Sequence, residues 1–266
     1  MGELGGRTAL ITGAGRGIGR AIACTLAARG ATVVVNDVDP EPAAGTVELI
    51  TAGGGTAVTC VGSVTDADFP DRFVQTALDA TGGLDIIVNN AGFYWNDPIE
   101  DMSDEQWDAV LDADLTAPFR IMRAAAPIIR RHPTAYHRKV VNISSNAGVV
   151  GLERQSNYAA AKAGLIGMTK CMAKEWGRYG VNVNAVAFGW IATRLTAAAE
   201  NLAHIEVDGH RMPVGMRPEK RDLAARVIPL GRSGTAEEAA GAVYLLCTPD
   251  ADYINGQCLV CDGGRH

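Results

Sequence analysis

The chain lacks the features that would mark a membrane, exported or metal-binding protein. No apolar run approaches the roughly 18 to 20 residues of a membrane span, and the opening MGELGGRTALITG has no charged-then-apolar leader pattern. Residue 6 is not Ser or Thr, so myristoylation at Gly2 is unsupported. The histidines, at 132, 137, 204, 210 and 266, fall at no HxxxH or His–carboxylate spacing on a helical segment, and no metal is expected. A net charge of −6, spread over both halves, offers no basic face for nucleic acid. These absences point to a cytoplasmic protein with small-molecule partners. No Pro/Ser linker, repeat or low-complexity tract divides the chain, so residues 1–266 read as one domain.

Cysteine is sparse and scattered, at 24, 60, 171, 247, 258 and 261. A chain with 47% apolar residues can bury a core without disulfides, so free and mostly buried thiols are expected. Cys258 and Cys261 form a CxxC, but GQCLVCDGG reads as a strand. There an offset of three puts the two side chains on opposite faces, which disfavours redox or metal chemistry.

What is present is a regular alternation. Strand-length apolar runs occupy 8–12, 31–37, 55–61, 84–90, 139–145, 181–187 and 257–261, each apolar nearly throughout, as in a parallel sheet covered on both sides. Segments with helical spacing lie between them at 17–29, 40–52, 67–80, 103–131, 157–178 and 235–247. Ser103 with Gln106 and Thr235 with Glu238 have capping-box spacing. The order predicts an α/β fold with a doubly wound, seven-stranded parallel sheet and helices on both faces. Residues 194–228 break the alternation and read as a substrate lid or binding loop.

The first strand runs into Thr12-Gly13-Ala14-Gly15-Arg16-Gly17-Ile18-Gly19 and then directly into a helix. Such a loop lets a pyrophosphate approach the backbone and rest on the helix N-terminus, although glycine-rich turns also arise for packing reasons. Asp37 ends the second strand, where a carboxylate reaches adenosine ribose hydroxyls and repels a 2′-phosphate. NAD(H) is therefore favoured over NADP(H), with Asn36 and Arg16 as the residues that could instead accommodate the phosphate.

Tyr158-Ala-Ala-Ala-Lys162 opens a predicted helix, which sets phenol and ammonium one turn apart on one face. Alone, that spacing is usually mere surface. A free tyrosine near pKa 10 is about 4 kcal/mol from ionisation at pH 7; an adjacent ammonium is expected to lower that cost, making Tyr158 an acid–base group. TGAGRGIG, NNAG at 89–92, Ser145 and YAAAK occur here in one order. Together they resemble the short-chain dehydrogenase/reductase family over nearly the whole length.

The resemblance implies a Rossmann-like fold and hydride transfer between a nicotinamide and a secondary alcohol or ketone. Gly13, Arg16, Gly17, Ile18 and Gly19 would hold the cofactor, with Asn90, Ala91 and Gly92 closing its pocket. Val64, beside Ser63, would contact adenine through its backbone, and Ile191 and Thr193 would meet the carboxamide. Ser145 would bind the substrate oxygen, Tyr158 would transfer the proton, and Lys162 would bind the nicotinamide ribose. A homotetramer is implied too, with the helices at 103–131 and 157–178 packing against their copies through Ala159, Ala160, Ala163 and Gly164.

Three positions depart from the pattern. Ser63 replaces an aspartate, Phe188 replaces a proline, and Asp114 stands where the family has the asparagine of its catalytic tetrad. In the family that residue's backbone carbonyl holds a water leading to the lysine; an ionised Asp114 turned inward would oppose ionisation of Tyr158. These departures also keep open a weakly catalytic, cofactor-binding sensor or scaffold. Arg130, Arg131, Arg138 and Lys139 read chiefly as complements to a helix C-terminus, with docking of an acidic carrier as the alternative. Analogy with the family favours a 3-oxoacyl thioester substrate, and the basic residues of 194–228 would suit an anionic handle.

Overall fold

The apolar runs become strands because the inner ones are covered on both faces and the edge strands β3 and β9 on part of theirs, and alternate residues divide between two cores. A computed structural model describes residues 2–131, 135–193, 203–207, 210–214, 223 and 226–265, with backbone alone for 203–207 and 210–214. Strand β1 (Thr8–Ile11) leads through a glycine loop to α1 (Gly17–Ala28), β2 (Thr32–Asp37), α2 (Pro40–Ala52), β3 (Thr56–Val61) and α3 (Phe69–Thr81). The chain continues through β4 (Ile86–Asn89), α4 (Asp104–Leu111), α5 (Ala117–Ile129), β5 (Arg138–Ser145), the short α6 (Asn146–Val150), α7 (Ser156–Trp176) and β6 (Val181–Phe188). A hairpin, β7 (Ala203–Val207) and β8 (His210–Val214), precedes α8 (Ala236–Cys247) and β9 (Cys258–Cys261).

Seven strands form one parallel sheet in the order β3-β2-β1-β4-β5-β6-β9. Ala9, Ile11, Val33 and Val35 face α1 and α8, packing on Ile22, Leu26, Ala239 and Val243. Leu10, Val34 and Ile87 face the opposite layer, where Phe69, Phe73, Ile121 and Trp176 cover them. The strand order reverses at β1 and β4, and ligands of doubly wound sheets bind in the crevice at that switch point, outside the carboxyl ends of the strands.

One expectation needs correction. The single helix at 103–131 is divided: residues 112–116 form a π-helical segment between α4 and α5. The stretch 194–228, read as a substrate lid or binding loop, contains an antiparallel hairpin pairing Ala203 with Val214 and Val207 with His210. The rest of that stretch lies largely outside the described residues, as do the side chains of its basic residues Arg211, Arg217, Lys220 and Arg221. Both capping boxes form as expected, Ser103 with Gln106 and Thr235 with Glu238.

Candidate active site

The glycine loop is laced to the end of β2. Gly13 N–H donates to Asn36 Oδ1 at 3.2 Å, Ala14 N–H to the Asn36 carbonyl at 2.6 Å and Gly15 N–H to Asp37 Oδ2 at 3.0 Å. A Cβ on Gly15 would overlap the Asp37 carboxylate, so this approach requires glycine. Asn36 also donates to the carbonyls of Cys60 and Gly62, which makes it a brace between strands instead of a phosphate ligand. Arg16 lies 2.6 Å from Asp39 and 3.9 Å from Asp37, so its guanidinium is already engaged by carboxylates. From across the switch point, Asn90 Nδ2 donates to the carbonyls of Thr12 and Gly13 at 2.9 and 3.1 Å. The Asn90 and Ala91 amides donate to Thr12 Oγ1, both at 2.9 Å.

Of the remaining predicted cofactor residues, Thr193 borders this loop. Thr193 reaches toward Gly17, and Ile191, buried, bridges to Gly234. Val64 sends its side chain into the core, so only its backbone is available to a ligand. Ser63 and Thr65 share a 2.7 Å hydroxyl contact in the place of the family's aspartate. A dinucleotide fits this cradle: the loop's glycines leave room that a Cβ at Gly15 or Gly19 would fill, and no side chain caps the N-terminus of α1, so the first amides after Arg16 are left for an anion. Gly17, Ile18 and Gly19 would supply them.

The acid–base residues meet at the C-terminal ends of β4 and β5. Ser145 ends β5 and caps α6, accepting from Ala147 N–H at 3.2 Å, and its hydroxyl lies near enough to the Tyr158 phenol to lower the phenol's pKa. Asn157 fixes the start of α7 by donating to the carbonyls of Trp95 and Gln106 and by accepting from Tyr158 N–H at 2.7 Å. Lys162, one turn on, donates to the Ile143 carbonyl at 3.0 Å, and its Nζ lies 5.5 Å from the centre of the Tyr158 ring. Asp114 Oδ1 sits 2.6 Å from that Nζ, with both side chains buried. Asp114 therefore touches the lysine by its side chain, a contact the family pattern assigns to a water held by a backbone carbonyl.

Burial outweighs the ammonium. The Tyr158 phenol lies above the ordinary tyrosine value: desolvation raises it most, Lys162 and the Ser145 hydroxyl pull it down, and Asp114 pushes it up. The ammonium acts in the expected direction but does not win. Burial likewise pulls Lys162 down, yet the Asp114 carboxylate and Tyr158 together carry its pKa above the usual value. Asp114 is raised by burial against the opposing pull of Lys162 and of the Phe93 N–H. Both members of the pair thus hold their protons more tightly than in water.

Tyr94 escaped the sequence reading. Its ring meets that of Tyr158 edge-on with centroids 6.2 Å apart, and burial followed by Tyr158 raises its pKa. The aromatic triplet Phe93-Tyr94-Trp95 directly after NNAG was the available signal. Among the described residues no cluster of His, Cys, Asp or Glu could hold a metal, and no helix is long and apolar enough to cross a membrane. The cysteines are free, but only Cys60 and Cys247 are buried, fewer than expected. Arg138 donates to the carbonyls of Ile129 and Arg131 at the end of α5, matching the helix-terminus reading, whereas Lys139 turns inward to Asp252.

The sequence profile of a family described as Enoyl-(Acyl carrier protein) reductase matches residues 13–266. The 3-oxoacyl-(acyl-carrier-protein) reductase of Synechocystis sp. is 41% identical over 99% of this chain and 98% of that protein. The chain is a short-chain dehydrogenase/reductase. Its similarity to the 3-oxoacyl-(acyl-carrier-protein) reductase of Vibrio harveyi is 37% identity over 99% of both chains. A dehydrogenase/reductase from Sinorhizobium meliloti 1021 superposes with a TM-score of 0.85 at 32% identity, over 99% of this chain and 96% of that one. A 7α-hydroxysteroid dehydrogenase, solved with NADH and 7-oxo glycochenodeoxycholic acid, gives 0.86 at 29%, covering 98% and 94%. This short-chain dehydrogenase/reductase is an NAD(P)-dependent oxidoreductase acting between secondary alcohols and ketones. No observation favours the sensor or scaffold alternative.

Proposed function

We propose that this enzyme reduces 3-oxoacyl thioesters with NADH, using Tyr158 as proton donor and Ser145 as the anchor for the carbonyl oxygen. The observation that carries this reading is the convergence of two hydroxyls, Ser145 and Tyr158, beside a buried ammonium at the switch point of the sheet. Two donors at one place suit a carbonyl oxygen that gains negative charge. The bound nicotinamide supplies the hydride in reduction and accepts it in oxidation. Tyr158 Oη gives its proton to the carbonyl oxygen, and Lys162 Nζ stabilises the phenolate left behind. Asn157 and Ile143 fix the phenol and ammonium in place through the start of α7 and the end of β5.

The 3-oxoacyl preference rests on the reductases of Synechocystis and Vibrio harveyi. The preference for NADH rests on Asp37, buried beside the glycine loop, and on Arg16, whose charge Asp39 and Asp37 already take up. The steroid dehydrogenase with NADH bound supports it as well. Free cysteines accord with a cytoplasmic setting. Ala160 and Ala163 lie exposed on α7 beside partly buried Ala159 and Gly164, a flat face suited to pairing within a homotetramer; light scattering showing a monomer at micromolar concentration would end that part.

The test is a substrate panel with both cofactors: a 3-oxoacyl thioester, an enoyl thioester, steroid ketones and simple ketones. Reduction of the 3-oxoacyl thioester with NADH, abolished in Tyr158→Phe, is the expected outcome. Preference for the enoyl thioester, or a large preference for NADPH, would overturn the corresponding part.

A further inference from the structure

We propose that Asp114 is a positioning residue which, paired directly to Lys162, opposes ionisation of the Tyr158 phenol, so that alcohol oxidation is displaced to higher pH and carbonyl reduction is favoured around neutrality. The inference rests on the acid–base reading of Tyr158 and goes beyond it by assigning the direction in which the site is poised.

The geometry is specific to a carboxylate. The π-helical turn at 112–116 interrupts the hydrogen-bond register between α4 and α5 and carries Asp114, fully buried, opposite α7. One oxygen, Oδ1, lies 2.6 Å from Lys162 Nζ; the other, Oδ2, accepts the Phe93 N–H at 3.1 Å. Gly92 permits the fit, because a Cβ there would overlap Oδ1. An asparagine has a single acceptor oxygen. If that oxygen takes the Phe93 N–H, the amide NH2 faces the ammonium; if it turns to Lys162, the Phe93 amide loses its partner. Two carboxylate oxygens meet both groups, Oδ2 by the hydrogen bond from Phe93 and Oδ1 by the ion pair with Lys162.

A charge count gives the consequence. With Asp114 ionised in its pair with Lys162 and the phenol neutral, the three groups sum to zero, and ionising the phenol leaves a buried net charge of −1. With asparagine at 114 the same ionisation would start from +1 and end at zero, which a desolvated site favours. The titratable groups that face Tyr158 are Lys162 from its own helix, Asp114 from the π-helical turn and Tyr94 from the loop after β4. Tyr94 is itself held neutral by burial, and Ser145, at the end of β5, is polar without ionising. Asp114 is thus the one anion acting on the phenol among these groups, and it favours the protonated form that a carbonyl needs. Oxidation of an alcohol, which needs the phenolate, is displaced to higher pH.

The test is a pH titration of the cofactor-free protein by near-ultraviolet phenolate absorbance, with the Tyr158→Phe curve subtracted to isolate Tyr158. In the wild-type protein the Tyr158 signal should titrate above 10.0, the ordinary tyrosine value. In Asp114→Asn it should move down by about one unit or more, a roughly tenfold larger phenolate population at a given pH. The alkaline limb of alcohol oxidation should move the same way. Asp112→Asn, which removes a surface partner of Arg120 from the same turn, should leave the curve in place. A wild-type midpoint at or below 10.0, or an Asp114→Asn midpoint at or above that of the wild type, overturns the proposal. If Asp114→Asn does not fold, Asp114→Ser, which also removes the charge, is read by the same criteria. Because the titration uses neither cofactor nor substrate, failure of the substrate panel and failure of this inference are separate results.

Discussion

Two buried lysines are anchored at opposite ends of β5, and they behave in opposite ways. Lys139, near its start, places Nζ 2.5 Å from Asp252 and 3.1 Å from Asn182 Oδ1. Lys162, on α7, donates to the carbonyl of Ile143 near the other end of the strand and pairs with Asp114 at 2.6 Å. The distances are nearly equal, yet burial lowers the pKa of Lys139 despite its partner, while the pKa of Lys162 rises despite burial. The difference lies in the partners. Asp252 is 38% exposed, so water screens its charge, and Arg7 adds a second cation near Lys139; Asp114 is 0% exposed, and among the described residues no second cation acts on Lys162. A short ion pair is strong only when both members are withdrawn from water.

The comparison can be broken most severely at the phenol that only one of these lysines serves. Tyr158→Phe should lower the turnover of ketone reduction by about 10²- to 10⁴-fold, the range for a lost general acid, with NADH affinity nearly unchanged. A steady-state assay with cofactor titration checks both halves. Next in size, Lys162→Met should leave Asp114 buried and unpaired and destabilise the fold by about 3 to 5 kcal/mol in urea denaturation. Lys139→Met should cost less, since Asp252 can be solvated; equal losses would remove the distinction drawn between the two pairs.

pH separates the lysines by sign. Lys162 has a raised pKa, so the stability its pairing contributes is complete below 10.5 and fades only as pH climbs through the raised value. Lys139 has a lowered pKa, so the cost of burying its charge is present below that value and is relieved as pH rises toward 10.5. Measured against the wild-type protein, the penalty of Lys162→Met should therefore shrink in strong alkali, while that of Lys139→Met should not. A smaller effect is expected at the cofactor end. Asp37→Ser should reduce the preference for NADH over NADPH by about tenfold, roughly 1.4 kcal/mol, read as the ratio of kcat/KM values. An unchanged ratio would remove Asp37 from cofactor selection.

The architecture was legible because parallel strands covered on both faces read as apolar runs, and all seven fall where those runs lie. The glycine loop and Asp37 at strand ends, and Tyr158 and Lys162 on one helical face, were legible from spacing, whereas Ser145 as their companion was legible only through the family resemblance. The π-helical turn at 112–116 was not: a changed hydrogen-bond register leaves little trace in the apolar period. The direct contact of Asp114 with Lys162 depends on that turn, so the sequence could raise the question of an inward carboxylate but not answer it. The sign of the Tyr158 shift depends on how far desolvation exceeds one ammonium, a quantity of the folded state. The β7–β8 hairpin did carry a local signal, Asp208-Gly209 between its two strands, a dipeptide common in tight hairpin turns.

The most direct measurement is a single-turnover reaction of a 3-oxoacyl thioester with NADH deuterated at the transferable position, run in wild-type protein and in Tyr158→Phe. Deuterium should appear at the carbinol carbon of the wild-type product, and the rate should collapse in the variant. Equal rates in the two proteins, or a product without deuterium at that carbon, would contradict the assignment of Tyr158 as the proton donor to a carbonyl reduced by the nicotinamide.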